Sequence, residues 1–281
     1  MNTANIPAGN NFPKNTVLNM DDDIVEPLDS IVIYEHVCEK NNCKHILTLN
    51  LVGTTPAHLK GWELVKKRDV MTVGVSSGNG YFNKDRLEII LMGMASYFRE
   101  VVMLVPDLPA LHTYRALGYD ERHAMERMKK HKSSNKAIYK QVTERSIQHF
   151  GQKNIRFATW SENIIQEECY QQALSRAVEI YHNNFEFRED ILRNTERYIL
   201  ARLEDRDVQQ LGGMREIVEK AAHYLVEEMA FFEISHTMLK RDSLVSYYRD
   251  LELGIKYVNG HYGNQQNKHL GCIAYNIVDS E

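Results

Sequence analysis

Ser76 stands in the stretch Val73-Gly74-Val75-Ser76-Ser77-Gly78-Asn79-Gly80-Tyr81-Phe82, behind a short valine-rich run and ahead of an amphipathic segment. A serine hydroxyl at the end of a strand is a candidate nucleophile. Residues 74–78 fit G-x-S-x-G, the elbow of serine hydrolases, but that elbow needs a helix directly after the serine. Here Gly78 to Lys84 intervene before Asp85, the first residue read as a helix cap, and no HGGG-like oxyanion loop precedes the motif. The downstream histidines His236, His261 and His269 stand in no recognisable triad context. The loop has neither G-x-x-x-x-G-K-[ST] nor G-x-G-x-x-G, the two patterns that cradle phosphate. Taken alone, Ser-Ser-Gly-Asn-Gly also reads as a plain turn.

A second group lies in MREIVEKAAHYLVEEMAFF, residues 214–232. Ile217, Ala221, Tyr224, Glu228 and Phe231 are spaced 4, 3, 4 and 3 and so form one helix stripe. Tyr224 and Glu228 are neighbours on it, at i and i+4. Glu228 then falls in a largely apolar row, while Glu227 points elsewhere. A carboxylate so placed must find a partner or shift its pKa. It either reaches solvent at the stripe's margin or is set to hold an amine.

The third group is basic. From Arg115 to Arg145 there are nine basic residues (Arg115, Arg122, Arg127, Lys129, Lys130, Lys132, Lys136, Lys140 and Arg145) against Asp120, Glu121, Glu126 and Glu144, a balance of +5 inside a chain of net charge −4. Such a segment is either a solvated helix face or a surface for a polyanion.

These groups sit in a chain of 281 residues, 43% apolar and 26% charged, the composition of an ordinary soluble globular enzyme. No apolar run is long enough to span a bilayer. The first residues, MNTANIPAGNNFPKN, lack a basic n-region and an apolar h-region, so the reading is no signal peptide but a disordered lead-in over residues 1–28. Four cysteines are few for the length. Cys38 and Cys43 flank a hairpin end, Cys169 and Cys272 are isolated, and no set of four short-spaced metal ligands exists. Reduced thiols, no metal and a cytoplasmic location are the expectation.

The elements that must position these groups alternate. IVIYEHV, KHILTLNLV and DVMTVGV read as strands, Asp85 caps a helix to Phe98, and VVMLV is a buried strand. A helical region follows to about residue 150, broken near HKSSN. NIRFATW is a strand, helices follow at 162–183, 185–203 and 214–232, and LVSYY and LGCIAYNIV are late strands. Strand–helix alternation implies a parallel sheet covered on both faces, in one domain spanning 29–281.

Taken together the motifs resemble those of the cyclodipeptide synthases. That family's nucleophile loop has the form G-[IV]-S-x-x-N-[SG]-Y-[FY], matched by Gly74 to Phe82. Its catalytic helix carries Y-x-x-x-E before an apolar run, matched by Tyr224 to Phe232. A later strand ends S-x-x-x-Y-[HP], where this chain has Ser243-Leu244-Val245-Ser246-Tyr247-Tyr248. ALGYDERHA resembles the turn into the family's basic helix. The chain departs from the family at Gly80, where serine is frequent, and at Met229-Ala230, where [LA]-Pro is frequent. It also has Tyr248 where the branch that shares Asn79 has histidine.

The resemblance implies an α/β, Rossmann-like fold related to the catalytic domain of class I tyrosyl- and tryptophanyl-tRNA synthetases. It implies an enzyme that needs no cofactor, joins two aminoacyl groups carried by tRNA into a cyclic dipeptide, and works without ATP. Ser76 takes the first aminoacyl group as an ester, Asn79 orients the loop, and backbone N–H groups around Gly78, Asn79 and Gly80 serve as oxyanion donors. Glu228 and Tyr224 hold the ammonium. A second aminoacyl-tRNA supplies the other residue, the dipeptidyl ester on Ser76 cyclises, and Tyr247 and Glu228 are the proton-transfer groups. Thr72, Gly74, Leu104, Phe231 and Val245 line a mostly apolar pocket. Arg115, Arg122, Arg127, Lys129, Lys130, Lys132, Lys136 and Lys140 contact the tRNA, and a monomer is expected. A serine acyl hydrolase and a noncatalytic tRNA-binding protein are the readings from other classes.

Overall fold

The computed structural model describes residues 30–38, 43–55, 69–76, 79–151, 154–203, 208, 211–239, 242–247 and 252–280. The lead-in over 1–28, the loop residues Ser77 and Gly78, and Tyr248 lie outside them.

One seven-stranded sheet runs through the described residues in the order β1-β2-β7-β6-β3-β4-β5. Strands β3 (Val70–Gly74), β4 (Glu100–Val105), β5 (Ile155–Thr159), β6 (Ser243–Tyr247) and β7 (Leu270–Ser280) pair in parallel. The sequence expectation of a parallel sheet holds for these five. It needs correction at one edge, where β1 (Ser30–Cys38) and β2 (Cys43–Thr55) form an antiparallel hairpin and β2 runs antiparallel to β7. The hairpin sets Cys38 opposite Cys43 in register, as the sequence suggested. Cys169 is half-buried, Cys272 is buried, and both are free thiols.

Burial on both faces explains why the central strands read as continuous apolar runs. In β4 the alternation splits the run between two cores. Val101, Met103 and Val105 join the first with Met71, Val73, Leu244 and helix α1 (Lys84–Tyr97). Val102 and Leu104 join the second with Val70, Val245 and the helices that follow β5. Leu91 on α1 is fully buried, so Leu91→Ala costs about 2–5 kcal/mol. Gly93 lets α1 approach the hairpin, because a Cβ there would meet Leu47 Cδ2 at 2.5 Å and Tyr34 Cβ at 2.7 Å. Asn83, and not Asp85, caps α1, its side chain accepting the Arg86 N–H. Asp85 instead lies in the first turn, where a carboxylate favours the helix dipole.

Between β4 and β5 lie α2 (Ala110–Ala116) and α3 (Glu121–Phe150). The break expected near HKSSN is absent, and α3 runs through it. Ser and Asn are weak helix formers by only a few tenths of a kcal/mol each. Met128, Asn135 and Val142, seven residues apart, are all buried, and their packing outweighs that preference. After β5 come α4 (Trp160–Asn163), α5 (Glu168–Asn183), α6 (Phe185–Leu203) and α7 (Met214–Leu239), the last longer than its apolar pattern suggested. A short α8 (Glu252–Val258), unread in the sequence, precedes β7.

The chain winds outward from β3 through β4 to β5, then returns to place β6 on the other side of β3. In open α/β sheets that reversal leaves a crevice at the carboxyl ends of the two strands, the usual ligand site. Ser76 follows β3 and Tyr247 ends β6.

Candidate active site

The loop after β3 is tied at both ends. The Val75 N–H donates to the Leu104 carbonyl at 2.8 Å, carrying the β3–β4 ladder one step past the strand. The Asn79 N–H donates to the Ser76 carbonyl at 3.2 Å. Asn79 Oδ1 accepts the Tyr81 N–H at 3.0 Å and caps a single 3₁₀ turn, Gly80–Phe82, which leads into α1. The expected loop-orienting place of Asn79 thus has a local cause, an Asx cap. Gly78, one of the expected oxyanion donors, is outside the described residues; Gly80 is exposed.

Ser76 Oγ lies 3.3 Å from Tyr224 Oη, and either atom can donate. Tyr224 comes from the third turn of α7 and is buried. Its ring faces Tyr198 of α6, centroids 6.2 Å apart and planes 29° apart. Burial, above all, drives the Tyr224 pKa well above its ordinary value; the Glu228 charge and Tyr198 push it the same way, and the hydrogen bond to Ser76 opposes them. Tyr224 is therefore a neutral phenol at any physiological pH. Glu228 follows one helical turn later, half-buried, close enough for its charge to act on Tyr224. The stripe read from the sequence is real: Ile217, Ala221, Tyr224 and Phe231 are buried and Glu228 is half-buried.

The five residues expected to line a pocket occur on adjacent elements. Thr72 pairs with Val245 across β3–β6, and Gly74 with Leu104 across β3–β4. Leu104, Val245 and Phe231 share the second core. A Cβ on Gly74 would meet nothing within 4 Å, so open space lies beside the end of β3. Thr72 Oγ1 is buried with no hydrogen-bond partner among the described residues. Tyr247 closes β6 in register with Ala274.

Sequence reasoning missed a polar cluster on the next face of α7. Glu227 Oε1 lies 2.7 Å from His112 Nε2 of α2, and Glu227 Oε2 accepts from Tyr170 at 3.5 Å. Trp160 Nε1 donates to Tyr170 Oη at 3.0 Å, and the Trp160 ring packs on Phe231 at 5.2 Å. His223 faces His112 at 5.5 Å, and burial, with His112 beside it, lowers its pKa. The signal available was the i, i+4 pair His223 and Glu227.

The basic segment divides. Arg122, Lys129, Lys136 and Lys140, spaced 7, 7 and 4, share one exposed face of α3, and Arg127 and Lys130 are exposed beside it. Arg115 is on α2 and makes a two-pronged pair with Glu121, both bonds 2.8 Å. Arg145 pairs with Glu88 of α1. Lys132 turns inward, 3.1 Å from the fully buried Asp107, 2.6 Å from Glu162 and 2.8 Å from Ser161 Oγ. Asp107 also accepts from the N–H and the hydroxyl of Ser161. Lys132 thus pins α3 to the turn after β5. Among the described residues, no group of three or more His, Cys, Asp or Glu is arranged to hold a metal ion, and no helix is long and apolar enough to cross a membrane.

Residues 54–277 match the family model for cyclodipeptide synthase. A cyclo(L-leucyl-L-leucyl) synthase of Bacillus subtilis is 23% identical over 198 residues, 70% of this chain and 78% of that protein. A solved Mycobacterium tuberculosis protein, whose structure relates cyclodipeptide synthetases to type I tRNA synthetases, superposes with a TM-score of 0.61 at 16% identity, covering 87% of this chain and 96% of its own. A cyclodipeptide synthase of Candidatus Glomeribacter gigasporarum, solved bound to Phe-tRNAPhe, superposes with a TM-score of 0.52 at 19% identity, covering 75% and 89%.

Proposed function

The chain belongs to the cyclodipeptide synthase family, and on that basis we propose that it builds its product from two aminoacyl-tRNAs through two successive esters on Ser76. The observation that carries the proposal is the 3.3 Å contact between Ser76 Oγ and the buried Tyr224 phenol at the sheet's switch point.

An aminoacyl-tRNA ester is already activated, so a serine can attack it without the Asp–His relay that an amide demands. In the first step Ser76 Oγ bonds to the aminoacyl carbonyl carbon and the ribose oxygen leaves with the serine's proton. Tyr224 relays that proton, because a phenol that stays neutral can accept from Ser76 while giving up its own hydrogen. Glu228 holds the ammonium of the bound aminoacyl group, with Tyr224 beside it. In the second step that nitrogen, having lost one proton to Glu228, attacks the carbonyl of the second aminoacyl-tRNA. The ribose oxygen of the second tRNA leaves with the proton that the nitrogen sheds as the amide forms, and a dipeptidyl ester stays on Ser76. In the third step the new terminal amine attacks the Ser76 ester carbonyl, the six-membered ring closes, and Ser76 leaves as its hydroxyl, reprotonated through Tyr224. Tyr247, at the end of β6, is the second proton-transfer group.

Thr72, Gly74, Leu104, Phe231 and Val245 form the pocket for the first side chain, and their apolar character favours an apolar residue. Arg122, Arg127, Lys129, Lys130, Lys136 and Lys140 carry the tRNA arm, with Arg115 at the margin. Lys132, held by Asp107, belongs to the structural core and not to the RNA surface. The enzyme acts in the cytoplasm as a monomer and without a cofactor. Mass spectrometry of medium from bacteria expressing the chain tests the proposal. A cyclic dipeptide made by the wild type and missing with Ser76→Ala supports it, and equal product from both overturns it. A hydrolase would leave free amino acids and no ring.

A further inference from the structure

Closing one ring by the steps above leaves two protons for the site to take up, one from each incoming ammonium. Glu228 takes the first, from the nitrogen that attacks the second aminoacyl-tRNA. The second comes from the terminal ammonium of the dipeptidyl ester, before that nitrogen can attack the Ser76 ester carbonyl. A phenol such as Tyr224 or Tyr247 passes a proton along, but it is already protonated at neutral pH and cannot store another. A second base would spare Glu228 from unloading its proton between the two steps. Helix α7 carries the means. Glu227 stands three residues after Tyr224 and four before Phe231, and Glu228 stands four after and three before. Such neighbours have Cβ atoms about 5–6 Å apart, so each carboxylate flanks the Tyr224–Phe231 line, one on either side. On the Glu227 side, His112 Nε2 of α2 lies 2.7 Å from Glu227 Oε1, and the Tyr170 hydroxyl of α5 donates to Glu227 Oε2 at 3.5 Å. Trp160 ties this group back to the site, bonding to Tyr170 and packing on Phe231. The His112 and Glu227 side chains are 25% and 17% exposed, shielded but open to a substrate and to water.

We propose that His112 is the base for ring closure and that Glu227 is the residue that positions it. The inference rests on the reading of Ser76 as the carrier of both esters. An imidazole that gives one N–H to a carboxylate presents its other nitrogen as a base, and the carboxylate steadies the imidazolium that results. With Nε2 turned to Glu227, His112 Nδ1 has no hydrogen-bond partner among the described residues. A dipeptidyl chain extended from Ser76 reaches about 7 Å, on the scale of one step between helix neighbours. Nδ1 takes one proton from its terminal ammonium. The freed amine bonds to the Ser76 ester carbonyl carbon and the bond from that carbon to Oγ breaks. Oγ leaves with the nitrogen's second proton, relayed by Tyr224, and the imidazolium gives its proton to water.

Around the pair stand His223 of α7, 5.5 Å from His112, His182 of α5, whose charge acts on His223, and Arg115 of α2, which feels Glu227. Burial first, then His112 and His182, hold the His223 pKa below its ordinary value against the pull of Glu227. His223 is thus neutral at neutral pH and leaves room for a charge on His112. Arg115 is held by Glu121 in the two-pronged pair.

The test is a rapid-quench reaction with aminoacyl-tRNA read by intact mass, which separates the aminoacyl adduct on Ser76, the dipeptidyl adduct and the freed enzyme. His112→Gln can still donate to Glu227 but is no base. It should slow ring closure by about 10²-fold more than it slows Ser76 acylation, the scale of one lost proton-transfer group, so the dipeptidyl adduct builds up. Glu227→Gln should give the same pattern and Glu227→Asp should recover part of the rate, and these two carry the comparison should His112→Gln fold poorly. Equal slowing of both steps would overturn the proposal and leave the pair as a tie between α2 and α7. Ring closure at the wild-type rate in these variants would overturn it as well. A wild type that makes the ring with no adduct on Ser76 would instead fell the two-ester reading, and this inference with it.

Discussion

Ser76 Oγ and Tyr224 Oη stand 3.3 Å apart although 148 residues separate them in the chain. A loop on β3 brings one and helix α7 brings the other, across the point where the sheet reverses its winding. Tyr224→Phe keeps the ring against Tyr198 and removes only the hydroxyl. Acylation of Ser76 should slow by about 10²-fold, the usual scale for losing a positioned proton-transfer group. Rapid-quench measurement with labelled aminoacyl-tRNA checks this, and an unchanged rate would remove Tyr224 from the mechanism.

Glu228 tests the electrostatic half of the site. Glu228→Gln keeps the shape and removes the charge that should hold the substrate ammonium. Product formation should fall by about 10²-fold, the cost of a charge-assisted bond in a partly desolvated site. The melting temperature should move little, since Glu228 is only half-buried. Full activity would return Glu228 to a solvated position at the margin of the stripe.

Much of this site is legible in the residue order alone. The period of Ile217, Ala221, Tyr224, Glu228 and Phe231 fixes one helix face, and local spacing is what a sequence displays best. The five parallel strands are also plain, because burial on two faces demands apolar runs. The edge hairpin's place is not, since β2 pairs with β7 more than two hundred residues away and nothing local encodes that partner. Nor does local propensity show that α3 continues through Ser133 and Ser134, for the cause is tertiary packing of Met128, Asn135 and Val142. Lys132 looks like its basic neighbours because a charge count carries no direction. The structure turns it toward Asp107. Glu227 is easily passed over because its partner, His112, lies on a separate helix.

Lys132 and Lys136 should therefore behave differently. Lys132→Met leaves the fully buried Asp107 short of its cation and should cost about 1–3 kcal/mol of stability. Lys136→Ala touches an exposed side chain and should change stability by less than about 0.5 kcal/mol. It should instead weaken tRNA binding and flatten the salt dependence by roughly one contact. Denaturant melts and salt titrations of both variants give the comparison. The same loss of stability in each would contradict the assignment of Lys132.

Alkaline stability follows from the phenols. Burial lifts the pKa values of Tyr170, Tyr224, Tyr257 and Tyr262 above their ordinary value. In the unfolded chain these groups ionise near pH 10. Above that pH the folded state holds more protons than the unfolded state, so stability falls as pH rises. Below about pH 10 the contribution is fully present. Melting temperatures should be level between about pH 8 and 9.5 and drop steeply beyond about pH 10. A level curve through pH 11 would mean these phenols ionise in place.

The central claim is that Ser76 carries the aminoacyl group. Wild-type protein mixed with one equivalent of labelled aminoacyl-tRNA, then quenched in acid, should show an intact mass raised by one aminoacyl residue. Peptide mapping should place that residue on the segment containing Ser76. Ser76→Ala should show no adduct and no cyclic product while melting like the wild type. An adduct of equal yield on Ser76→Ala, or cyclic product formed without one, would contradict the account.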